Sequence, residues 1–492
     1  MAAAAAIPLG YLVVRVADAG ADRAWQALWR ERTWELAVNS AVLVGLVSAG
    51  CLVLGVALAW LLTRADLPAR RLWWVLASLP LAMPSYVAAF AWLATWPGIH
   101  GLWPLTAVMV LACLPYVTLP TMAAFRLADQ GLSDVARTLG RGAAGTFLTV
   151  TLPQVLPAAL AGTLLAALYT LSDFGAVSLF RYEAYTWAVH AAYQGTFDRT
   201  LAAVMALVLA VLALLVVLAE RAARRRAGRG AVATVRTTAP AAPVRLGRAG
   251  TVAALVAMTA LAAASLAFPL TVLAGRLAAA TRVEIDWAGL GESALSTVTL
   301  STAGALLTVV LALPIAHLAA RRRTRTVAAL EGVSYLGHAL PGIVVGLSLV
   351  FFSLRVVPGL YQSAAVLCFA YAVLFLPKAI GATRAAVERT PPAVEEVART
   401  LGRSALRTWA GVTLRHAAPG VAAAALLVAV TAMKELPATL LLRPTGVDTL
   451  ATELWQRTAV GAYGAATPAA LALVLVAAVP AWLLSRPERI RR

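Results

Sequence analysis

Three ionisable residues stand in or beside apolar runs and could do chemistry there: Asp173, Lys434 and Glu435. A charge in a hydrocarbon layer is costly, so it usually faces a cavity or pairs with another charge. One reading makes the two carboxylates caps or packing groups near an interface. The other sets Asp173 and Glu435, with Lys434 beside them, along a path that could pass a cation inward. Other chemistries lack their residue types. The five histidines show no HxxxH or HExxH spacing, so no metal site can be argued. Cys51, Cys113 and Cys368 lie inside apolar runs without disulfide or metal spacing and read as small buried hydrophobes. A phosphate-binding loop needs GxxxxGK[ST]. The only lysines, Lys378 and Lys434, do not follow a glycine in that context. The chain is therefore expected to bind no cofactor and to be no enzyme.

Those residues must be held by membrane helices. The chain has 492 residues, 61% hydrophobic and 13% charged, with a mean hydropathy of +0.82. A soluble domain carries about twice that charged fraction. The apolar residues come in runs of about 20, enough to cross a core of roughly 30 Å as a helix. The candidate spans are 2–18, 37–62, 72–96, 102–125, 155–176, 200–220, 251–275, 293–319, 330–353, 361–380, 418–438 and 466–485. This predicts an all-α polytopic membrane protein of about twelve spans, each bounded to within a few residues. The first is short, with Arg15 near its end. It lacks the leading basic residues and small-residue cleavage site of a signal peptide. It reads as a short first span or as a start placed too far downstream.

Charge placement orients the spans. Most of the 41 basic residues fall in alternate connections or the tail, among them Arg70, Arg71, Arg137, Arg141, Arg321 and Arg403. The positive-inside rule then puts both termini in the cytoplasm. The net charge of +19 is spread between apolar runs, and no nucleic-acid-binding motif accompanies it, so nucleic acid is not an expected partner. Residues 221–249 are rich in Arg, Ala, Pro and Gly without periodicity, which reads as a basic cytoplasmic linker.

The chain repeats itself. Val135-Ala136-Arg137-Thr138-Leu139-Gly140-Arg141 recurs unchanged as Val397-Ala398-Arg399-Thr400-Leu401-Gly402-Arg403. Leu114-Pro115 aligns with Leu376-Pro377, and Asp173 with Glu435, at the same offset. This predicts two homologous halves, 1–220 and 250–492, joined by the linker. Six spans per half is an even number, so both halves enter the membrane in the same orientation, with a path expected between them.

Each repeat lies in a long connection. In the second, Thr390 can cap a helix that begins at Pro391, with Glu395 and Glu396 in its early turns. Val394, Val397, Ala398 and Leu401 form an apolar stripe at helical spacing, and Gly402 can take the left-handed end. Asp134, Val135, Ala136, Leu139 and Gly140 repeat the pattern. A short helix, a glycine turn and a second helix make a knob suited to docking in another protein's groove. Two matched copies favour docking over mere loop closure.

The spacing resembles the EAA motif of ATP-binding-cassette importer permeases: Glu-Ala-Ala, three residues, Gly, nine residues, Ile-x-Leu-Pro. Here the copies read Asp134-Val135-Ala136, Gly140, Val150-Thr151-Leu152-Pro153 and Glu396-Val397-Ala398, Gly402, Val412-Thr413-Leu414-Arg415. Arg415 departs from the family's proline. Leu79–Val87, Ser172–Val177, Lys434–Pro444 and Asp448–Thr452 further resemble the ferric-iron permeases of that superfamily. The resemblance implies a MetI-like type I fold in a bacterial inner membrane. It also implies two cytoplasmic ATPase subunits seated on the knobs, which hold ATP and magnesium, and an extracytoplasmic binding protein that delivers the ligand. Ferric iron is the expected ligand. Thiamine, polyamine and aminoalkylphosphonate permeases are near relatives, and an ion-driven secondary transporter is the mechanistic alternative.

Overall fold

The computed structural model describes residues 2–18, 20–194, 199–228, 244–279, 285–322 and 324–485. They are helical almost throughout, and their one extended pairing is an isolated bridge between Ala65 and Val244. Among them, nine helices are long and apolar enough to cross a membrane, and ten if a bent pair counts as one. The all-α polytopic architecture is as the sequence predicts. The difference from twelve has local causes.

The stretch 72–96 is not one straight span. Helix Arg70–Ser78 tightens into a 3-10 turn over Leu79–Ala82, breaks, and resumes as Ser85–Thr95 at an angle of 91°. Pro84 causes the break: its ring drives Met83 into extended backbone at φ −88°, ψ 123°, and it has no N–H for a continuing helix. The stretch 330–353 breaks likewise, with extended Leu340 and Pro341 between Arg325–Ala339 and Gly342–Val356. The first helix, Ala2–Asp18, has 17 residues. The 155–176 and 418–438 stretches end early, at Ser172 and Met433. The helices Gly175–Leu179 and Pro437–Leu442 follow them.

The long spans need little explanation beyond apolarity. Glu31–Arg64 and Trp287–Arg321 run 34 and 35 residues, more than the roughly 20 that cross a hydrocarbon core. Each closes on an arginine, whose charge complements the helix C-terminus. The cysteines are free and buried. Of the linker, 229–243 lies outside the described residues. Its described ends are helical: Arg199–Gly228 runs into it, and the next helix starts at Gly247.

The compact units divide the chain differently from the sequence halves. One comprises Met1–Thr33, Ala188–Ala210 and Arg276–Arg492, and the other Trp34–Trp187 and Val211–Gly275. In the first unit, Ala2–Asp18 packs on Gly342–Val356. Tyr11 meets Phe352 edge-on at 5.9 Å, Ser348 donates to the Pro8 carbonyl, and Arg355 pairs with Asp18. In the second, Phe268 lies against Trp92 at 4.9 Å and stacks on Trp96 at 5.3 Å. The first helix of each half thus packs on the broken segment of the other half. Hydropathy cannot foresee such an exchange, because it depends only on composition along the chain.

Candidate functional site

Both repeats fold into the same knob. The helices Gln130–Thr138 and Pro392–Thr400 end in a left-handed glycine, Gly140 at φ +84° and Gly402 at φ +83°. Gly140 N–H donates to the Arg137 carbonyl at 3.0 Å, and Arg141 N–H to that of Ala136 at 3.1 Å. Gly402 and Arg403 repeat the pair on Arg399 and Ala398, at 2.9 and 3.2 Å. These crossed bonds satisfy the last carbonyls and reverse the chain, a geometry that needs positive φ.

After the glycine a single α-turn runs into five residues of π-helix, Phe147–Thr151 and Trp409–Thr413, and then into the spans Leu152–Ser172 and Leu414–Met433. The π-turns occupy matched positions in the two repeats. Such turns shift the hydrogen-bond ladder by one residue and concentrate at functional sites.

The apolar stripe is split by the fold. Ala136 and Ala398 are buried, whereas Val135, Val394 and Val397 are exposed, and Leu139 and Leu401 are 77% and 78% exposed. Asp134 and Glu396 are exposed on the same helices. These large aliphatic side chains are exposed together at the end of each knob helix. The start of the second helix differs from expectation. Pro391 occupies the N-cap and Pro392 the first helical position, and the Thr390 side chain does not cap. Thr390 is buried instead, and its carbonyl accepts from Arg321 Nη2 at 2.9 Å.

Glu395 was expected only to complement the helix dipole, but it is buried and tied to other elements. Its Oε1 accepts from Arg321 Nη2 at 2.6 Å, Arg321 Nε at 3.0 Å and Thr413 Oγ1 at 2.8 Å. Burial by itself raises this carboxyl. The hydrogen bonds from Thr413 and Arg321, with the Arg321 charge, outweigh it and hold the group below the ordinary glutamate value. A carboxylate lowered in this way stabilises the fold above its unfolded pKa, and the contribution is lost as pH falls through the folded value. The gap in thermal midpoint between the wild-type protein and Glu395→Gln is therefore expected to persist at neutral pH. It should narrow progressively as the pH falls below the ordinary glutamate value of about 4.3. A gap unchanged at pH 3.5 would contradict this.

Asp173 and Glu435 are brought to equivalent positions, each just after a span and before a short helix. Asp173 Oδ1 accepts from Ala176 N–H at 2.8 Å, and Oδ2 accepts from the Ser85 hydroxyl. Tyr169 donates to Ser85 at 3.1 Å. Glu435 Oε1 accepts from Ala438 N–H at 2.9 Å, and Oε2 from Thr439 N–H at 2.9 Å and the Thr439 hydroxyl at 2.7 Å. Lys434 is the C-cap of Leu414–Met433 and is half-buried. Both carboxylates thus accept from backbone amides at the start of a short helix. Among the described residues no three His, Cys, Asp or Glu side chains group as metal ligands.

The sequence pattern assigns no individual site role to Ser85, Gly342, Arg321 or Thr413, although Ser85, Arg321 and Thr413 stand in segments it singles out. Ser85 and Gly342 each follow the proline that breaks its segment, Pro84 and Pro341, but they stand outside the register that relates the repeated knobs, so the offset of the repeat does not align them.

The model of the family described as binding-protein-dependent transport system inner membrane component matches twice, over residues 51–229 and 309–488. The chain is 33% identical over 482 residues to the Fe(3+)-transport system permease protein FbpB 2 of Haemophilus influenzae, covering 98% of this chain and 95% of the relative. Shorter matches reach the molybdenum transport system permease protein ModB of Escherichia coli, at 32% identity over 30% of this chain and 71% of the relative. The sulfate transport system permease protein CysT of the same organism is 27% identical, over 35% of this chain and 67% of the relative.

Proposed function

The chain belongs to the family of binding-protein-dependent transport system inner membrane components, and from that premise we propose that it is the permease subunit of an ATP-driven importer of ferric iron. The single observation that carries the substrate is the near full-length match to an Fe(3+)-transport permease, since the shorter matches cover about a third of the chain.

The knobs supply the mechanism. Two ATPase subunits seat one on each knob and hold ATP and magnesium, for which this chain offers no phosphate-binding loop. Asp134, Val135, Ala136 and Gly140 form one seat, and Glu396, Val397, Ala398 and Gly402 the other. The alanines face the protein's own helices, and the aliphatic side chains beside them face outward. Both termini lie in the cytoplasm, and a binding protein delivers iron on the opposite face. ATP binding and hydrolysis then drive alternating access of the two halves, 1–220 and 250–492, with 221–249 as their linker. Hydrogen bonds on both oxygens of Asp173 and Glu435 favour bracing over direct cation transfer. A path role shared with Lys434 requires that neutralising both carboxylates cut uptake while the protein stays in the membrane.

Labelled ferric iron uptake tests the substrate, in cells lacking this chain against cells given it back with its partners. Restored uptake that excess thiamine leaves unchanged is expected. No restoration despite normal membrane levels would move the substrate to thiamine, a polyamine or a phosphonate. Uptake that collapsed with an uncoupler yet ignored vanadate would overturn ATP drive itself.

A further inference from the structure

The two knobs have the same backbone but not the same anchor. In the second half Arg321 closes the long helix Trp287–Arg321, and its guanidinium holds both the Glu395 carboxylate and the Thr390 carbonyl. Thr413, the last residue of the π-turn, donates to the same Glu395 oxygen at 2.8 Å. Three separate elements therefore meet on one buried carboxylate: the knob helix, the π-turn that leads into the next span, and the end of a long span. Glu395 is 6% exposed, and Arg399 adds a longer contact at 3.8 Å.

The first half has no such clamp. Ser133 stands where the second repeat has Glu395, and it meets Thr151 at 3.3 Å. Arg64, which closes Glu31–Arg64, donates instead to the Phe125 carbonyl at 2.7 Å. A hydroxyl contact at that distance is weak. A charged, multiply bonded pair removed from water resists displacement far more.

We infer that Arg321, Glu395 and Thr413 are positioning residues that make the second knob a rigid lever, passing ATPase movement to the spans, while the first knob is a compliant seat. Movement applied to Pro392–Thr400 reaches Trp287–Arg321 directly and Leu414–Met433 through the π-turn that precedes it, because one carboxylate is bonded to both Arg321 and Thr413. In the first half, among the described residues, the knob helix is held to the following π-turn and span by bonds to neutral groups only, Ser133 to Thr151 and Asp129 N–H to Gln154 Oε1 at 2.8 Å, with no charged pair and no link to the end of Glu31–Arg64. This inference rests on the proposed seating of ATPases on the knobs.

The experiment uses the full chain with its ATPase subunits and binding protein in proteoliposomes. It reads ATPase co-purification, ATP hydrolysed and labelled ferric iron taken up. Glu395→Ala is expected to keep the ATPase bound but lower iron taken up per ATP by about tenfold. Glu395→Gln keeps an acceptor for both donors and should hold that ratio within about threefold of the wild type. Thr413→Val removes only a hydroxyl, so it reports even where Glu395→Ala fails to reach the membrane. It should lower the ratio about threefold, while the matched Ser133→Ala and Thr151→Val leave it within about twofold. An unchanged ratio in Thr413→Val, or equal losses from the first-half variants, overturns the inference. Wild-type protein that transports iron without retaining an ATPase would overturn the seating itself, and is distinguished by the co-purification readout.

Discussion

Replacing Gly140 and Gly402 together with tryptophan is expected to abolish iron uptake and to lower ATPase co-purification at least tenfold, with the protein still in the membrane. Both glycines sit at φ near +84°, where a Cβ costs roughly 1–2 kcal/mol. No atom lies within 4 Å of a Cβ built at either position, so the strain comes from backbone conformation and not from a clash. The single alanine variants therefore isolate that strain. Each should weaken retention about fivefold, since one distorted knob leaves the other intact. Gly142 follows two residues after the first turn glycine at φ −64°, an ordinary conformation with open space around it. Gly142→Ala should be silent. Equal losses from Gly142→Ala and Gly140→Ala would show that the left-handed turns do not set the docking geometry.

The second large effect lies at the capped carboxylates. A Cβ at Gly342 would sit 2.5 Å from Glu435 Oε1 and 3.1 Å from a Pro437 ring carbon. Gly342→Ser must therefore displace the carboxylate from the Ala438 and Thr439 amides. Losing such a cap costs about 1 kcal/mol, to which the displaced packing adds. Removal of the protein from the membrane, or a large drop in thermal midpoint, is the expected outcome. The first half shows the cure. There a serine follows the helix-breaking proline, and it donates to the shorter carboxylate of Asp173. Gly342→Ser combined with Glu435→Asp should recover most of the lost stability, a coupling a double-mutant cycle measures directly. Additive losses in that cycle would show that the serine–aspartate and glycine–glutamate pairs are not interchangeable solutions to one packing problem.

The sequence by itself determined the class, the repeat and the knobs. Apolar runs of span length permit little but helices in a bilayer, because backbone polar groups must be satisfied internally there. The duplicated VARTLGR segment carried its glycine turn with it, since only glycine meets the conformational demand of that reversal at little cost. Several features depended on which elements come together and were decided by the tertiary structure alone. Hydropathy reads 72–96 as one span, whereas Pro84 bends it, and Trp92 and Trp96 of the bent segment pack on Phe268 from a distant part of the chain. The exchange of first helices is invisible to any local pattern. So was the role of Glu395: a glutamate in a first helical turn looks like a dipole partner until Arg321, 74 residues away, is brought to 2.6 Å. Local rules fix what a segment is, but burial and long-range hydrogen bonds fix what it does. Those are properties of packed neighbours that no sequence window contains.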